Sequence, residues 1–238
     1  MKVFVASDLH CEFYKQSNFI DSLPNDDRDA IVVAGDLCSS HYLCDNLDKL
    51  CKKYKKVIYV NGNHDFYHSS YDKVMKEIHA CESRNSNLYF LNNNSVDIDG
   101  VNFIGCTLWF EPLADNIYYE LLLNDFNCIK DFKKFVYKEN RKSLSFLKNN
   151  VKRDSVVITH HIPTVKGIDP RFQAEETNRF FVCPSAHDVI VNNKPRIWIY
   201  GHTHIPASYV VEETQLLCNP YGYPHEEFGF DDGLIIDI

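Results

Sequence analysis

Five short runs of apolar, mostly β-branched residues recur along the chain, and each predicts a buried strand. They cover residues 2–7, 30–35, 56–62, 155–160 and 196–201, with the sequences KVFVAS, AIVVAG, KVIYVNG, SVVITH and RIWIYG. Apolar runs of this length are typical of strands buried on both faces, as in a parallel or mixed sheet covered by helices.

Helical patterns lie between some of these runs. In residues 41–56 and 69–83 the apolar side chains fall on one stripe, at the 3.6-residue period of an amphipathic helix. Residues 115–150 are also predicted to be mainly helical. Strands that alternate with helices early in the chain, and hairpins late in it, indicate two packed sheets with helices outside.

The predicted hairpins lie in residues 88–110, which contain an IDG turn at 98–100, and in residues 207–219. Residues 233–238 predict a final strand. The sequence has no internal repeat, low-complexity tract or linker, and 238 residues suit one α/β domain. A single domain over residues 1–238 is therefore predicted.

Composition excludes some classes of function. Lys and Arg number 25 against 33 Asp and Glu, giving a net charge of -8, and no basic stripe indicates a nucleic-acid groove. No apolar run has the length needed to span a bilayer, so no membrane partner is expected. Nine scattered cysteines without a CxxC pair, and an N-terminus without a secretory signal, favour reduced thiols and a cytoplasmic protein.

Each of the five predicted strands ends in residues that can bind a metal ion. In chain order these are Asp8 and His10, then Asp36, then Asn63, then His160, and finally His202 and His204. Ligands of open α/β sheets collect beyond the carboxyl ends of the strands, so these side chains are expected to share one crevice. If the backbone stays extended through Thr203, His202 and His204 both face that crevice.

The chemistry of this residue set predicts two metal ions. Imidazole and carboxylate groups suit manganese, iron and zinc better than calcium or magnesium alone. Seven side chains exceed the needs of one ion with an open position, but they suffice for two ions if one carboxylate bridges them. Two ions would bring roughly +4 or +5 against about -2 from two aspartates, so the crevice should attract anions. A mononuclear zinc hydrolase is the alternative, and it would leave Asn63 unused.

Glycines 35, 62 and 201 directly precede ligand candidates, which predicts sharp turns and close backbone approach there. The motifs Asp8-x-His10, Gly35-Asp36, Gly62-Asn63-His64-Asp65, a lone His160 and Gly201-His202-x-His204 together resemble the signature of the calcineurin-like metallophosphoesterases. The resemblance implies a four-layer α/β/β/α sandwich of two mixed β-sheets flanked by helices. Sequences near the C-terminus are similar to a small bacterial-type branch of uncharacterised members.

The resemblance also implies roles for individual residues. Asp8, His10 and His204 would bind one ion, Asn63, His160 and His202 the other, and Asp36 would bridge them. His64 would lie over the substrate as a catalytic residue, and Asp65 would orient it by accepting its other N–H. The sequence THHIP offers both His160 and His161, and His160 is preferred because it directly follows the apolar run; His161 would then line the pocket.

The predicted reaction is hydrolysis of a phosphate monoester or diester by a metal-activated hydroxide, with assistance from His64. The cofactors would be two divalent or trivalent transition-metal ions (manganese, iron, zinc or nickel), and the substrate a small phosphorylated molecule, for which a nucleotide is one candidate. Arg171 could hold a second phosphate or a carboxylate, or be an ordinary surface residue. Nucleotide pyrophosphatase and cyclic-nucleotide phosphodiesterase activities remain open, as do the oligomeric state and a non-catalytic protein-binding scaffold. The scaffold is disfavoured because every expected ligand is present.

Overall fold

The predicted four layers are present, with two β-sheets packed face to face and helices on their outer faces. A computed structural model describes residues 1–14, 19–25, 28–226 and 229–238. In the first sheet, four parallel strands have one antiparallel neighbour, in the order β11-β1-β2-β3-β4. These strands are β1 (Lys2–Ala6), β2 (Ala30–Ala34), β3 (Val57–Val60), β4 (Leu88–Phe90) and β11 (Ile235–Asp237).

The second sheet contains six strands in the order β5-β6-β7-β8-β10-β9. They are β5 (Asn94–Ile98), β6 (Val101–Cys106), β7 (Val156–Thr159), β8 (Ile197–Tyr200), β9 (Ala207–Val211) and β10 (Thr214–Cys218). The four central strands are parallel, whereas β5 and β9 are antiparallel to their neighbours. Both predicted hairpins are confirmed, and the IDG turn joins β5 to β6 with positive φ angles at Asp99 and Gly100, the backbone that a tight hairpin turn requires.

Six α-helices are described, α1 (Phe19–Ser22), α2 (Leu43–Lys53), α3 (Tyr71–Arg84), α4 (Asp125–Cys128), α5 (Phe132–Asn150) and α6 (His187–Asn193). The two amphipathic patterns correspond to α2 and α3. The region predicted to be mainly helical contains two 3₁₀ turns, then α4 and the long α5. Helix α6 has no counterpart among the predicted helices, because its seven residues are too few to show a helical period.

Alternation along the strands sorts the core into layers. In β1, Phe4 and Ala6 pack in the cluster that contains the apolar faces of α2 and α3. Val3 and Val5 point the other way and pack with Ile158 of the second sheet. All four β1 side chains are fully buried, and each of the larger ones, Val3, Phe4 and Val5, stabilises the fold by about 2 kcal/mol.

The five strands that precede the ligand candidates are divided between the two sheets. β1, β2 and β3 belong to the first sheet, and β7 and β8 belong to the second. Because strands in each group run parallel, their carboxyl ends lie at one edge of each sheet. The site therefore lies at the seam between two sheets. Within the described residues no helix is both long and apolar enough to cross a membrane.

Candidate metal centre

The structure brings the predicted ligands into two adjacent groups. The ligand atoms of Asp8, His10 and His204 all lie within 4.8 Å of one another, and the same holds for Asp36, His160 and His202. Oδ2 of Asp36 lies 3.4 Å from Nε2 of His160 and 3.8 Å from Nε2 of His10, so this carboxylate lies between the groups. The arrangement has the form of two neighbouring cation sites that share Asp36.

His160 and Asn63 present two acceptor atoms to each other. Nδ1 of His160 lies 2.9 Å from the carbonyl oxygen of Ala34, which only accepts, so the ring hydrogen is on Nδ1. Nδ2 of Asn63 donates to Asp125 over 2.8 Å, which turns Oδ1 of Asn63 towards Nε2 of His160 at 3.0 Å. A proton or a metal ion must therefore lie between these two atoms.

The charges around His160 favour a cation at this position. Burial lowers the pKa of His160, but the nearby carboxylates, Asp36 foremost, outweigh this effect and raise it to about 9. A metal-free site would thus hold a proton where a metal ion would otherwise bind. Because a metal ion needs the neutral imidazole, metal binding has to release that proton.

The second group is arranged in the same way around His204. Its Nδ1 lies 2.7 Å from Oε2 of Glu226, and its Nε2 lies 3.0 Å from Nε2 of His10. Oδ1 of Asp8 lies 3.5 Å from Nε2 of His204. A carboxylate on the outer nitrogen of a ligating histidine fixes the ring orientation and increases its basicity. The lone pairs of two imidazoles and a carboxylate therefore converge here, and the set fits a transition-metal ion.

The backbone turns sharply at most of these residues. Asp8, His10 and Asp36 have φ angles of 51°, 44° and 52°, and His202 and His204 have φ angles of 69° and 52°. This left-handed conformation is uncommon for residues other than glycine, and such conformations cluster at functional sites. β8 ends at Tyr200, so the condition of an extended backbone through Thr203 is not met. The left-handed backbone at His202 and at His204 directs the two side chains into different ligand groups.

The glycines before the ligands leave room for them. A Cβ atom at Gly35 would overlap the ring of His160, and one at Gly62 would overlap the carboxylate and backbone nitrogen of Asp36. Gly35 also has a φ of 87°, which favours glycine. The predicted close approach of backbone to ligand side chains is confirmed at both positions.

His64 lies beside the two groups, at the wall of the cavity. Its ring stacks on Tyr67 at a centroid distance of 4.0 Å, and its Nε2 lies 3.1 Å from the hydroxyl of Tyr223. Nδ1 of His64 faces Oε1 of Glu12 at 3.7 Å, which is an ion-pair contact and too long for a hydrogen bond. Two aromatic side chains and Glu12 thus set the position of this ring.

The expectation that Asp65 orients His64 is wrong for this geometry. The buried carboxylate of Asp65 instead accepts four backbone hydrogen bonds, from the N–H groups of Asp36, Leu37, Cys38 and Gly62 at 2.7–3.3 Å. Both oxygens face the loops after β2 and β3. Asp65 therefore fixes the backbone that carries the metal ligands and makes no hydrogen bond to His64.

His161 lies behind the ligand groups. Its Nδ1 lies 3.2 Å from the carbonyl oxygen of Thr107, and its ring contacts that of His202 at 4.3 Å between centroids. Burial lowers the pKa of His161 to about 3, so the ring is neutral. His160 and His202 meet the remaining ligands, whereas His161 packs behind them.

Arg171 is not brought into the site. Its guanidinium group donates to both carboxylate oxygens of Asp169, at 2.9 and 3.2 Å. The cavity over the metal ligands has a volume of about 420 Å³, and Arg171 does not line it. Of the two alternatives left open for Arg171, this position favours an ordinary surface residue over a partner of a second phosphate.

Three acidic or aromatic residues of the site are absent from the sequence-based prediction: Glu12, Tyr223 and Glu226. Glu12 follows the first motif by two positions, which is the one local signal available. The other two reach the site through the loop between β10 and β11. Their contacts with His64 and His204 exist only in the folded chain.

Comparisons with known proteins agree with this fold. The profile of the calcineurin-like phosphoesterase family matches residues 1–206, and the chain belongs to this family. Membership of this family, with the His and Asp groups described above, indicates metal-dependent hydrolysis of phosphoesters. Tyr223 and Glu226 lie beyond the matched residues, so the C-terminal part of this chain adds its own side chains to the site.

Among individual proteins, the chain is 27% identical over 218 residues to the uncharacterized protein L509 of Acanthamoeba polyphaga mimivirus, covering 80% of this chain and 76% of that protein. The crystal structure of phosphopantetheinyl hydrolase from Mycobacterium tuberculosis superposes with a TM-score of 0.71 at 16% identity, covering 94% and 90% of the two chains. The protein TT1561 of Thermus thermophilus superposes with a TM-score of 0.61 at 13% identity, covering 93% and 89%. At these identities the two structures show a shared fold.

Proposed function

We propose that the protein is a dinuclear metal-dependent phosphoesterase that hydrolyses phosphate monoesters or diesters. The observation that carries this proposal is the convergence of acceptor atoms in two groups that share Asp36. In one group Nε2 of His10 faces Nε2 of His204 at 3.0 Å, and in the other Nε2 of His160 faces Oδ1 of Asn63 at 3.0 Å, while Nδ1 of His204 and Nδ1 of His160 are committed to other acceptors. Two cations satisfy both groups at once, and one shared carboxylate can serve both.

We assign the ligands to the two ions as the family resemblance implies. Asp8, His10 and His204 would hold one ion, Asn63, His160 and His202 the other, with Asp36 between them. Manganese, iron, zinc or nickel ions held by these residues would supply Lewis-acid chemistry, which activates water as a nucleophile and neutralises the charge of a phosphate group. Asp125 keeps the amide oxygen of Asn63 turned inwards, and Glu226 keeps the ring of His204 in place.

We assign to His64 the direct contact with the phosphoester. Its ring borders the cavity next to both ligand groups, and its Nε2 already makes a polar contact with the Tyr223 hydroxyl. A phosphate oxygen or the leaving oxygen that takes the place of that hydroxyl would receive a hydrogen bond or a proton from Nε2. The stacking of His64 on Tyr67 holds the ring at the required position.

A protein-binding scaffold on the same fold is less consistent with the structure. A scaffold has no need of seven converging ligand side chains, and most of them are fully buried at an energetic cost. His64 and four of the ligands also line an open cavity of about 420 Å³, as a small-molecule site requires.

The test is turnover by protein that is stripped of metal and reloaded separately with manganese, iron, zinc or nickel. The substrate panel contains 4-nitrophenyl phosphate, bis(4-nitrophenyl) phosphate, cyclic nucleotides and dinucleoside polyphosphates. We expect activity that depends on added metal. Asp36→Asn and His64→Ala should each lower kcat by about 100-fold or more.

His79→Ala serves as the matched control, because His79 is an exposed residue of α3 away from the site. It should keep the wild-type rate. Near-normal turnover in both Asp36→Asn and His64→Ala, or no turnover of any ester with any metal, would contradict the proposed function.

A further inference from the structure

A second, smaller cavity of about 200 Å³ adjoins the cavity over the metal ligands. Phe172, Thr177, Phe181 and Thr203 line both cavities, so the two share these side chains as a common wall. The space that the two cavities make up contains the phosphate-binding side chains proposed above at one end. The alcohol part of a bound ester would extend from there along the common wall.

The wall of this space next to His202 is apolar. The ring of Phe181 packs on the ring of His202 at 4.5 Å between centroids, and Ile162 and Ile168 line the smaller cavity. At the mouth, Leu122 is 63% exposed and Phe172 is 44% exposed. Large apolar side chains exposed around a cavity gain free energy when a ligand covers them.

The charges in this space oppose a second anionic group. Among the described residues that line either cavity there is no Lys or Arg. The ionisable side chains that line the smaller cavity are Asp169 and Glu175. Arg171, the nearest predicted phosphate partner, donates to Asp169 on both carboxylate oxygens. A second anionic group would therefore find no Lys or Arg among the described lining residues, and it would lie near the carboxylate of Glu175.

From this lining we infer that the substrate is a phosphoester of an uncharged, apolar alcohol, which packs against Leu122, Phe172 and Phe181. This inference rests on the proposed function and narrows it, because it selects one chemical class among phosphoesters. Nucleoside polyphosphates and dinucleoside polyphosphates should be poor substrates, since their outer phosphates have no cationic partner in the smaller cavity.

Two alkyl esters of equal length test the inference. They are hexyl phosphate and the same ester with a carboxylate at the end of the six-carbon chain, or the corresponding methyl diesters if the enzyme prefers diesters. The two leaving alcohols have nearly the same pKa, so the chemical step is matched. We expect kcat/KM to be at least tenfold higher for the uncharged ester. Equal values, or a preference for the carboxylate, would overturn the inference.

Two substitutions test whether the preference for an apolar alcohol arises from the lining of the cavity. Leu122→Ala should raise KM for hexyl phosphate several-fold and leave KM for methyl phosphate unchanged. Its neighbour Leu121 is the control, because it is 89% exposed but lines neither cavity. Leu121→Ala should leave both KM values unchanged, and an equal effect of the two substitutions would overturn the inference.

Binding of phosphonates separates this inference from the proposed reaction. Hexylphosphonate cannot be hydrolysed at its carbon–phosphorus bond, and its affinity for metal-loaded protein can be compared with that of 6-phosphonohexanoate by calorimetry. Tighter binding of hexylphosphonate is expected. If this preference is found but no ester is hydrolysed, the proposed function fails and the apolar site stands. If 4-nitrophenyl esters are hydrolysed but neither alkyl pair shows a preference, only the inference fails.

Discussion

Nε2 of His160 lies 3.0 Å from Oδ1 of Asn63, and each atom is left as an acceptor by a hydrogen bond on the far side of its own side chain. Ala34 accepts from the histidine, and Asp125 accepts from the asparagine. The fold thus places two acceptor atoms, Nε2 of His160 and Oδ1 of Asn63, where both attract a cation. Nε2 of His204 and Nε2 of His10 also face each other at 3.0 Å, and Glu226 accepts on the outer side of His204, so a cation is attracted to this second point as well.

The first prediction concerns metal content. Saturated protein should contain two ions per chain, and His160→Ala should contain one. His161→Ala should keep both, because this ring packs behind the ligand groups. The chelated protein should unfold at a lower temperature than the reloaded one, since free metal at 100 times the dissociation constant stabilises each site by about 2.7 kcal/mol. Elemental analysis and thermal unfolding measure these outcomes.

A saturating content of one ion per chain would favour a mononuclear hydrolase instead. Loss of an ion in His161→Ala, but not in His160→Ala, would exchange the roles of the two histidines.

The second prediction concerns Glu226, which accepts a hydrogen bond from the outer nitrogen of His204. Glu226→Gln keeps the size of the side chain but removes its charge, so His204 becomes a weaker ligand. Metal affinity should fall about tenfold, as measured by competition with a chelating dye. The control is Glu213→Gln, on the remote β9–β10 hairpin, where Glu213 pairs with Lys194 at the surface. Equal affinities in the two variants would show that Glu226 does not support the ligand.

The third prediction separates two roles of Asp65. Asp65→Asn replaces one carboxylate oxygen by a donor, so two of the four backbone N–H groups lose their acceptor. The free energy of unfolding of metal-free protein should fall by about 3–5 kcal/mol, because each buried unpaired donor costs about 1–3 kcal/mol. Denaturation by urea measures it, with Asp72→Asn on the exposed start of α3 as control. Unchanged stability combined with lost turnover would instead support the role of orienting His64.

The fourth prediction concerns Gly62. A Cβ at this position would overlap both the carboxylate and the backbone nitrogen of Asp36. Gly62→Ala should therefore destabilise the metal-free protein by about 2 kcal/mol or more and reduce its metal content. Gly233→Ala, in the loop before β11, is the control, because a Cβ at this position would make only a mild contact. Its stability and metal content should resemble those of the wild type. Wild-type stability and metal content in Gly62→Ala would contradict the tight packing at this turn.

The sequence by itself determined the strands and the residues at their ends. Apolar runs such as 30–35 and 155–160 are local signals of burial. A ligand residue that directly follows such a run is therefore predicted to lie at the carboxyl end of a buried strand. The alternation of these runs with helical patterns predicted two packed sheets with helices outside, and the resemblance of the motifs to the calcineurin-like family implied the four-layer fold, which is confirmed. The amphipathic stripes of α2 and α3 are equally local, whereas the short α6 had no period to detect.

Tertiary structure alone decided how the strands divide between two sheets and which side chains support the ligands. Sheet order depends on pairing between distant segments, and local apolar pattern carries no information about it. Glu226 meets His204, and Tyr223 meets His64, across 22 and 159 positions of the chain. The sequence-based prediction paired Asp65 with its neighbour His64. In the fold, four backbone N–H groups from two loops donate to the Asp65 carboxylate instead. Hydrogen bonds of this kind are selected by three-dimensional geometry, which only the packing of both sheets defines.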